Sequence, residues 1–219
     1  MERVLEPELM EDNEQVLAYA RADFNEANTL FLRTFRQKVG EASGQVLELG
    51  CGPATLSLRF AGENPNCMIY ALDGSRTMLE QAQEQMESMP QAKGRVVLIH
   101  NRLVEASLPA RYYPTIISNS LLHHLHEPMQ LWNAIKIHAA SNAWVFIMDL
   151  VRPESEERAR DIVEKYSASE PAVLKRDFFN SLLAAFEEGE IRQQLKRTGL
   201  GHFMTEIVSD RHIVIYGRM

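Results

Sequence analysis

The stretch Val46-Leu47-Glu48-Leu49-Gly50-Cys51-Gly52-Pro53-Ala54-Thr55 reads as an apolar strand that runs into a glycine turn and opens a helix. Glycine suits such a turn because the backbone bends tightly and a ligand can approach with no Cβ in the way. A Gly-x-Gly pair alone is a weak signal. Glu48 just before the turn sharpens it, and so does Asp73 at the end of the next apolar run, where a carboxylate can accept both hydroxyls of a ribose.

Outward from this turn, short apolar runs alternate with helical stretches, the rhythm of βαβ units in a mostly parallel sheet. Strands are expected at Gln45–Leu49, Met68–Asp73, Arg95–His100, Thr115–Asn119 and Ala143–Leu150. Helices are expected over Ala54–Ala61, over Arg76–Ser88 with Ser75 as its cap, and from Pro128 onward. Ahead of the sheet, Phe24, Ala27, Phe31 and Phe35 recur at helical spacing between Asp23 and Val39, and Gly40 offers a permissive stop. Residues 1–40 are therefore read as an N-terminal helical segment. After Leu150 the alternation breaks, and Val151–Gly199 reads as consecutive helices. Ala159, Ile162, Val163 and Tyr166 share one face, and Leu174, Phe178, Leu182 and Phe186 share the next. Residues 151–190 are expected to form a helical cap over the carboxyl edge of the sheet. Strand returns at Phe203–Val208 and His212–Tyr216, joined by a tight hairpin over Ser209-Asp210-Arg211. With no repeat, low-complexity tract or Gly/Ser linker, residues 1–219 are expected to fold as one domain.

The 219 residues carry 23 Lys+Arg against 30 Asp+Glu, a formal charge of -7. That field repels a phosphate backbone and an anionic membrane face, so neither nucleic acid nor membrane is an expected partner. Cys51 and Cys67 cannot build a disulfide framework, which fits a reducing compartment. The opening residues Met1 to Glu8 are acidic and lack the basic and apolar regions of a secretory signal. The clean apolar run Ala143–Met148 is far short of the roughly 18 to 20 residues that span a bilayer. A cytoplasmic location is the resulting expectation.

The turn and Asp73 together resemble class I S-adenosylmethionine-dependent methyltransferases, whose first motif is an acidic residue and Leu before a Gly-x-Gly turn. The resemblance covers about Gln45 to Leu150 and the terminal hairpin. Its fourth motif, Ile116-Ile117-Ser118-Asn119-Ser120-Leu121-Leu122-His123-His124-Leu125-His126, is similar to the small-molecule branch that includes ubiquinone/menaquinone-biosynthesis enzymes. The resemblance implies a Rossmann-like seven-stranded, mostly parallel sheet of order 3-2-1-4-5-7-6 with the last strand antiparallel and helices on both faces. It implies S-adenosylmethionine as cofactor, S-adenosylhomocysteine as product and a small molecule as substrate. It makes Glu48, Gly50, Cys51 and Gly52 the wall around the amino-acid end of the cofactor, Asp73 the ribose acceptor, and Gly74 and Met78 neighbours of the adenine. Asn101, followed by Arg102 and Leu103, stands where the family has an acidic residue that accepts from the adenine amino group; an amide oxygen can accept the same bond. Asn119 and Ser120 would lie beside the methyl-donor end. Ala54 stands where many members have a third glycine.

A dinucleotide-dependent dehydrogenase also places an acid about 20 residues beyond its glycines. Here the third glycine of Gly-x-Gly-x-x-Gly would fall at Thr55, and the closing strand pair resembles that of methyltransferases instead. His123 is the candidate general base, since its intrinsic pKa lies near working pH. No metal is expected, because adjacent histidines on a loop do not all face one ion and neither a nearby cysteine nor a regular carboxylate spacing completes a set. Cys51 is assigned no chemistry. Tyr19, Phe24, Tyr166, Arg176 and Phe179 are the candidate substrate contacts, weighed against core packing or a solvated helix face.

Methyl transfer from a sulfonium is an in-line displacement with an activated leaving group, so alignment and water exclusion carry most of the catalysis, worth on the order of 7–11 kcal/mol. Two function classes are compatible with these residues: a methyltransferase acting on a small molecule, and a catalytically silent domain that binds S-adenosylmethionine in a complex or in regulation. For assembly, the reading admits a homodimer.

Overall fold

A computed structural model describes residues 1–89, 94–103, 108 and 112–219. Seven strands, β1 Gly44–Leu49, β2 Cys67–Asp73, β3 Val96–His100, β4 Tyr113–Asn119, β5 Ala139–Leu150, β6 Met204–Ile207 and β7 His212–Arg218, form one sheet of order β3-β2-β1-β4-β5-β7-β6. Strands β1 to β5 pair in parallel, and β7 runs antiparallel to both β5 and β6. This is the order the resemblance implies. The strand sequence reverses between β1 and β4, which opens a crevice at their carboxyl ends where ligands of open α/β sheets bind.

Side chains along the central strands alternate between two apolar layers, as a sheet buried on both faces requires. Leu47, Leu49, Ile116, Val145 and Ile147 point to one layer, where α5 (Met129–His138) contributes Trp132 and Ile135 and α8 (Glu188–Arg197) contributes Ile191 and Leu195. Val46, Ile69, Ile117, Phe146 and Met148 point to the other, under Phe31 and Phe35 of α2 (Asn25–Lys38) and Leu58 and Phe60 of α3 (Thr55–Glu63). Phe146 packs edge-on against both Phe31 and Phe35, with centroids 5.0 and 5.4 Å away.

The remaining helices are α1 (Asn13–Arg21), α4 (Arg76–Ser88), α6 (Glu156–Ser167) and α7 (Ala172–Ala184). The Ser75 hydroxyl accepts from Met78 N at 3.2 Å and caps α4. The segment after β5 divides in two. Helices α6 and α7 build a separate cluster with Leu150 through Ala159, Ile162 and Leu182. Helix α8 instead covers the sheet beside α5, pinned by Trp132 Nε1 donating to Gln194 Oε1 at 2.9 Å, so the boundary expected at residue 190 falls inside a sheet-covering helix. Strand β5 begins at Ala139, four residues before the apolar run, because the pairing shifts register between Tyr113 and Thr115 and Asn142 takes a left-handed φ of 63°. Among the described residues no helix is long and apolar enough to cross a membrane.

Gly217 in β7 lies under the Phe203 ring, where an added Cβ would sit 2.4 Å from a ring carbon. Gly217→Ala is therefore expected to lower stability by about 1–3 kcal/mol through overpacking, measurable as a lower urea midpoint at unchanged m-value.

Candidate functional site

The turn after β1 is built from left-handed residues: Gly50 at φ 75°, Gly52 at φ 53° and Ala54 at φ 58°. Gly50 N and Cys51 N both donate to Leu72 O, at 2.8 and 3.0 Å, which ties the turn to the end of β2. A Cβ on Gly50 would sit 2.8 Å from Leu121, whereas nothing lies within 4 Å of the corresponding point over Gly52. The first glycine therefore admits a neighbour and the second leaves the backbone open. Ala54, with no exposed surface, takes the conformation that a third glycine would adopt without strain.

The Asp73 carboxylate stands across this turn. Its Oδ2 accepts from Gly52 N at 2.7 Å and its Oδ1 from Ser75 N at 2.8 Å. Both oxygens are thereby fixed in direction. Burial raises its pKa, and the Ser75 and Gly52 amides oppose that rise. Glu48 is buried and accepts a short hydrogen bond from Ser57 Oγ of α3. Burial pushes its pKa up to about 8, against the Ser57 bond and with a smaller contribution from Asp73. Cys51 is buried, its thiol pushed well upward by burial.

The loop after β4 forms the opposite wall. Ser120 is left-handed (φ 53°) and donates its N–H to Met148 O at 2.9 Å, while the Oδ1 of Asn119 is buried without a hydrogen bond. Asp149 of β5, 1% exposed, organises the rest of this loop: Leu121 N and Leu122 N donate to its Oδ2 at 2.9 and 2.7 Å, and His123 Nδ1 meets its Oδ1 at 2.6 Å. Burial disfavours the charged form of His123, but the Asp149 carboxylate outweighs it and raises the imidazole pKa. Asp149 is held low by the same contact against the effect of burial.

Residues near the N-terminus complete this wall. Arg3 donates to Ala184 O (2.5 Å), His123 O (2.8 Å) and Leu125 O (3.1 Å), and its guanidinium stacks 3.8 Å from the Phe186 ring. Glu6 Oε2 accepts from Ser181 Oγ at 3.1 Å, and Glu6 Oε1 lies 3.1 Å from His124 Nδ1 and 3.6 Å from His123 Nε2. Further along, Ser75 Oγ donates to Met10 O at 2.7 Å, and the Leu9 side chain covers Gly74.

The other candidate residues divide by location. Met78 is buried in the first turn of α4. Asn101 N donates to Asp73 O at 3.0 Å, and its Oδ1 accepts from Arg102 N at 2.8 Å. Arg102 is exposed, and Leu103 packs on the core edge. Tyr19 and Phe24 stack at 4.6 Å, and the Tyr19 hydroxyl is pushed up to about 12 by burial, with Asp73, Glu6 and Asp149 adding to the effect. Tyr166, Arg176 and Phe179 are engaged elsewhere: Tyr166 donates to Asp210 under the Arg211 guanidinium, Arg176 pairs with Asp177, and Phe179 lies in the α6–α7 cluster beside Arg160. Sequence reasoning passed over Asp149, an acid inside an apolar strand that had to find buried partners, and over Glu6, which carries no local signal.

A family model described as a methyltransferase domain matches residues 46–167, more than half of the chain. The chain belongs to the methyltransferase domain family. It is similar to a carboxy-S-adenosyl-L-methionine synthase of Shewanella pealeana, 39% identical over 54 residues that cover 24% of this chain and 22% of that protein. It is also similar to an uncharacterized methyltransferase of Mycobacterium tuberculosis, 29% identical over 82 residues, 37% of this chain and 38% of the relative. The matched stretches thus span well under half of these relatives. Among solved structures, the domain resembles a SAM-dependent methyltransferase from Aquifex aeolicus (TM-score 0.68, 16% identity, 95% of this chain and 99% of that one). It also resembles the plantazolicin methyltransferase BpumL, solved with S-adenosylhomocysteine and a substrate analog (TM-score 0.70, 12% identity, 94% and 89% covered).

Glu48 makes a pH test of the domain possible. A carboxyl whose pKa rises from 4.5 to about 8 on folding stabilises the fold fully below pH 4.5, and that contribution is lost as pH rises through 8. Urea unfolding should show Glu48→Gln gaining on the parent between pH 5 and pH 8, by on the order of 3 kcal/mol. A constant gap across that range would show that Glu48 is ionised in the fold.

Proposed function

We propose that this methyltransferase domain binds S-adenosylmethionine in the crevice between the β1 turn, Asp73 and the loop after β4, and transfers its methyl group to a small-molecule acceptor. The observation that carries the reading is the Asp73 carboxylate, locked by Gly52 N and Ser75 N beside a Gly52 backbone that no side chain covers. A vicinal diol is the complement of a carboxylate fixed in this way. The buried Asn119 Oδ1, lacking a donor, suits a cationic amino group at the other end of the ligand. The bound cofactor supplies a methyl group on a positively charged sulfur, already activated for displacement.

The chain's own residues bind, orient and keep water out. The left-handed turn brings its backbone to the crevice with no side chain over Gly52. Asp149 fixes the direction of the β4 loop through two backbone amides and the His123 ring. The segment from Arg3 to Met10 runs along the β4 loop and the start of α4, an arrangement suited to a dry, small site where oriented reactants gain most. The formal charge of -7 favours a small acceptor over a nucleic acid.

Calorimetry with S-adenosylhomocysteine tests the reading. Asp73→Ala is expected to weaken binding by about 1.5–3 kcal/mol for each charge-assisted bond lost, and unchanged affinity would remove the ribose role. If α1 and residues 151–190 close over the edge, the ligand should slow proteolytic cleavage in both segments. Transfer itself is read by incubating the protein with methyl-labelled S-adenosylmethionine and cell extract, where label must appear in small molecules.

A further inference from the structure

Three side-chain atoms converge where the segment near the N-terminus crosses the loop after β4: Glu6 Oε1, His124 Nδ1 and His123 Nε2, all within 4.8 Å of one another. Two of them, Glu6 Oε1 and His124 Nδ1, are buried and make no hydrogen bond although they face each other at 3.1 Å. The Glu6 side chain is 8% exposed and that of His123 is 3% exposed. His123 presents Nε2 to this point because Asp149 holds its Nδ1. Buried polar atoms without hydrogen bonds are rare and call for a partner.

We propose that Glu6, His123 and His124 form a binding site for a divalent transition-metal ion of the zinc type, with Asp149 orienting His123 behind it. Bonds of about 2.0–2.2 Å place tetrahedral ligand atoms about 3.4 Å apart, and the observed 3.1 and 3.6 Å bracket that spacing. A carboxylate bound to the far nitrogen of a ligating imidazole is the usual support of such a site. The local charges agree: the carboxylates of Glu6 and Asp149 flank the histidines, while the Arg3 guanidinium is engaged with three backbone carbonyls. Three protein ligands leave a fourth position for water or an oxygen of a bound ligand. The carboxylate ligand, Glu6, comes from a segment distant in sequence from the histidines.

The test needs no cofactor, so its failure and that of the methyl-transfer reading are separable. Protein stripped with a chelator is titrated with Co²⁺ and then Zn²⁺. The expected result is one equivalent of Co²⁺ with an intense visible d–d band that Zn²⁺ displaces. Glu6→Gln and His124→Ala should each abolish the band while circular dichroism stays native, and Asp149→Asn should weaken affinity about 10–100-fold. The parent protein serves as the decisive case if a variant fails to fold. Absence of the band, binding no tighter than about 1 mM, or a band that survives both substitutions would overturn the site.

Discussion

The carboxyl edge of the sheet depends on the way one backbone turn is held to its neighbour strand. Gly50 N and Cys51 N share the Leu72 carbonyl, which forces the chain through three left-handed residues within five positions before α3 begins. Such a path is open to glycine and costly for other residues. It fixes where the amide of Gly52 points and so where the carboxylate of Asp73 must stand. Leu121 closes over Gly50 from the β4 loop, so both walls of the crevice are referenced to the same turn.

A second anchor stands opposite. Asp149 is a fully buried acid at the end of a central strand, and it remains ionised because the His123 imidazole and the amides of Leu121, Leu122 and Leu150 surround it. Its bonds to Leu121, Leu122 and His123 convert this irregular stretch into a defined wall. Glu48, by contrast, sits equally deep with one hydroxyl as its partner and favours the protonated form. Two carboxyls at the ends of strands in one sheet thus take opposite charge states, decided by how many donors each one meets.

The sheet and the glycine turn were legible in the sequence because their signals are local. Apolar runs of the right length marked each strand to within a few residues, and the glycine turn with Asp73 lies inside one βαβ unit. Features made by distant segments were not legible. Nothing in Met1 to Met10 announces that Arg3 will stack on Phe186 or that Glu6 will reach two histidines. Tyr166 shows the same limit from the other side: its face of α6 was read correctly, but its hydroxyl is taken by Asp210 in the terminal hairpin. The division of the post-β5 helices was hidden because α8 differs from α6 and α7 in what it packs against, not in its periodicity.

The contacts of Arg3 and Val4 with Leu183 and Ala184 join parts of the chain that are 181 positions apart in the case of Arg3. A ribosome releases the first of these segments long before the second. The sheet's β1–β4 heart can pair while α7 is still being made, but the wall that includes Glu6 has no partner until then. Assembly of that wall is thus a late event with a large loop-closure cost, and the central strands must hold together without it during synthesis.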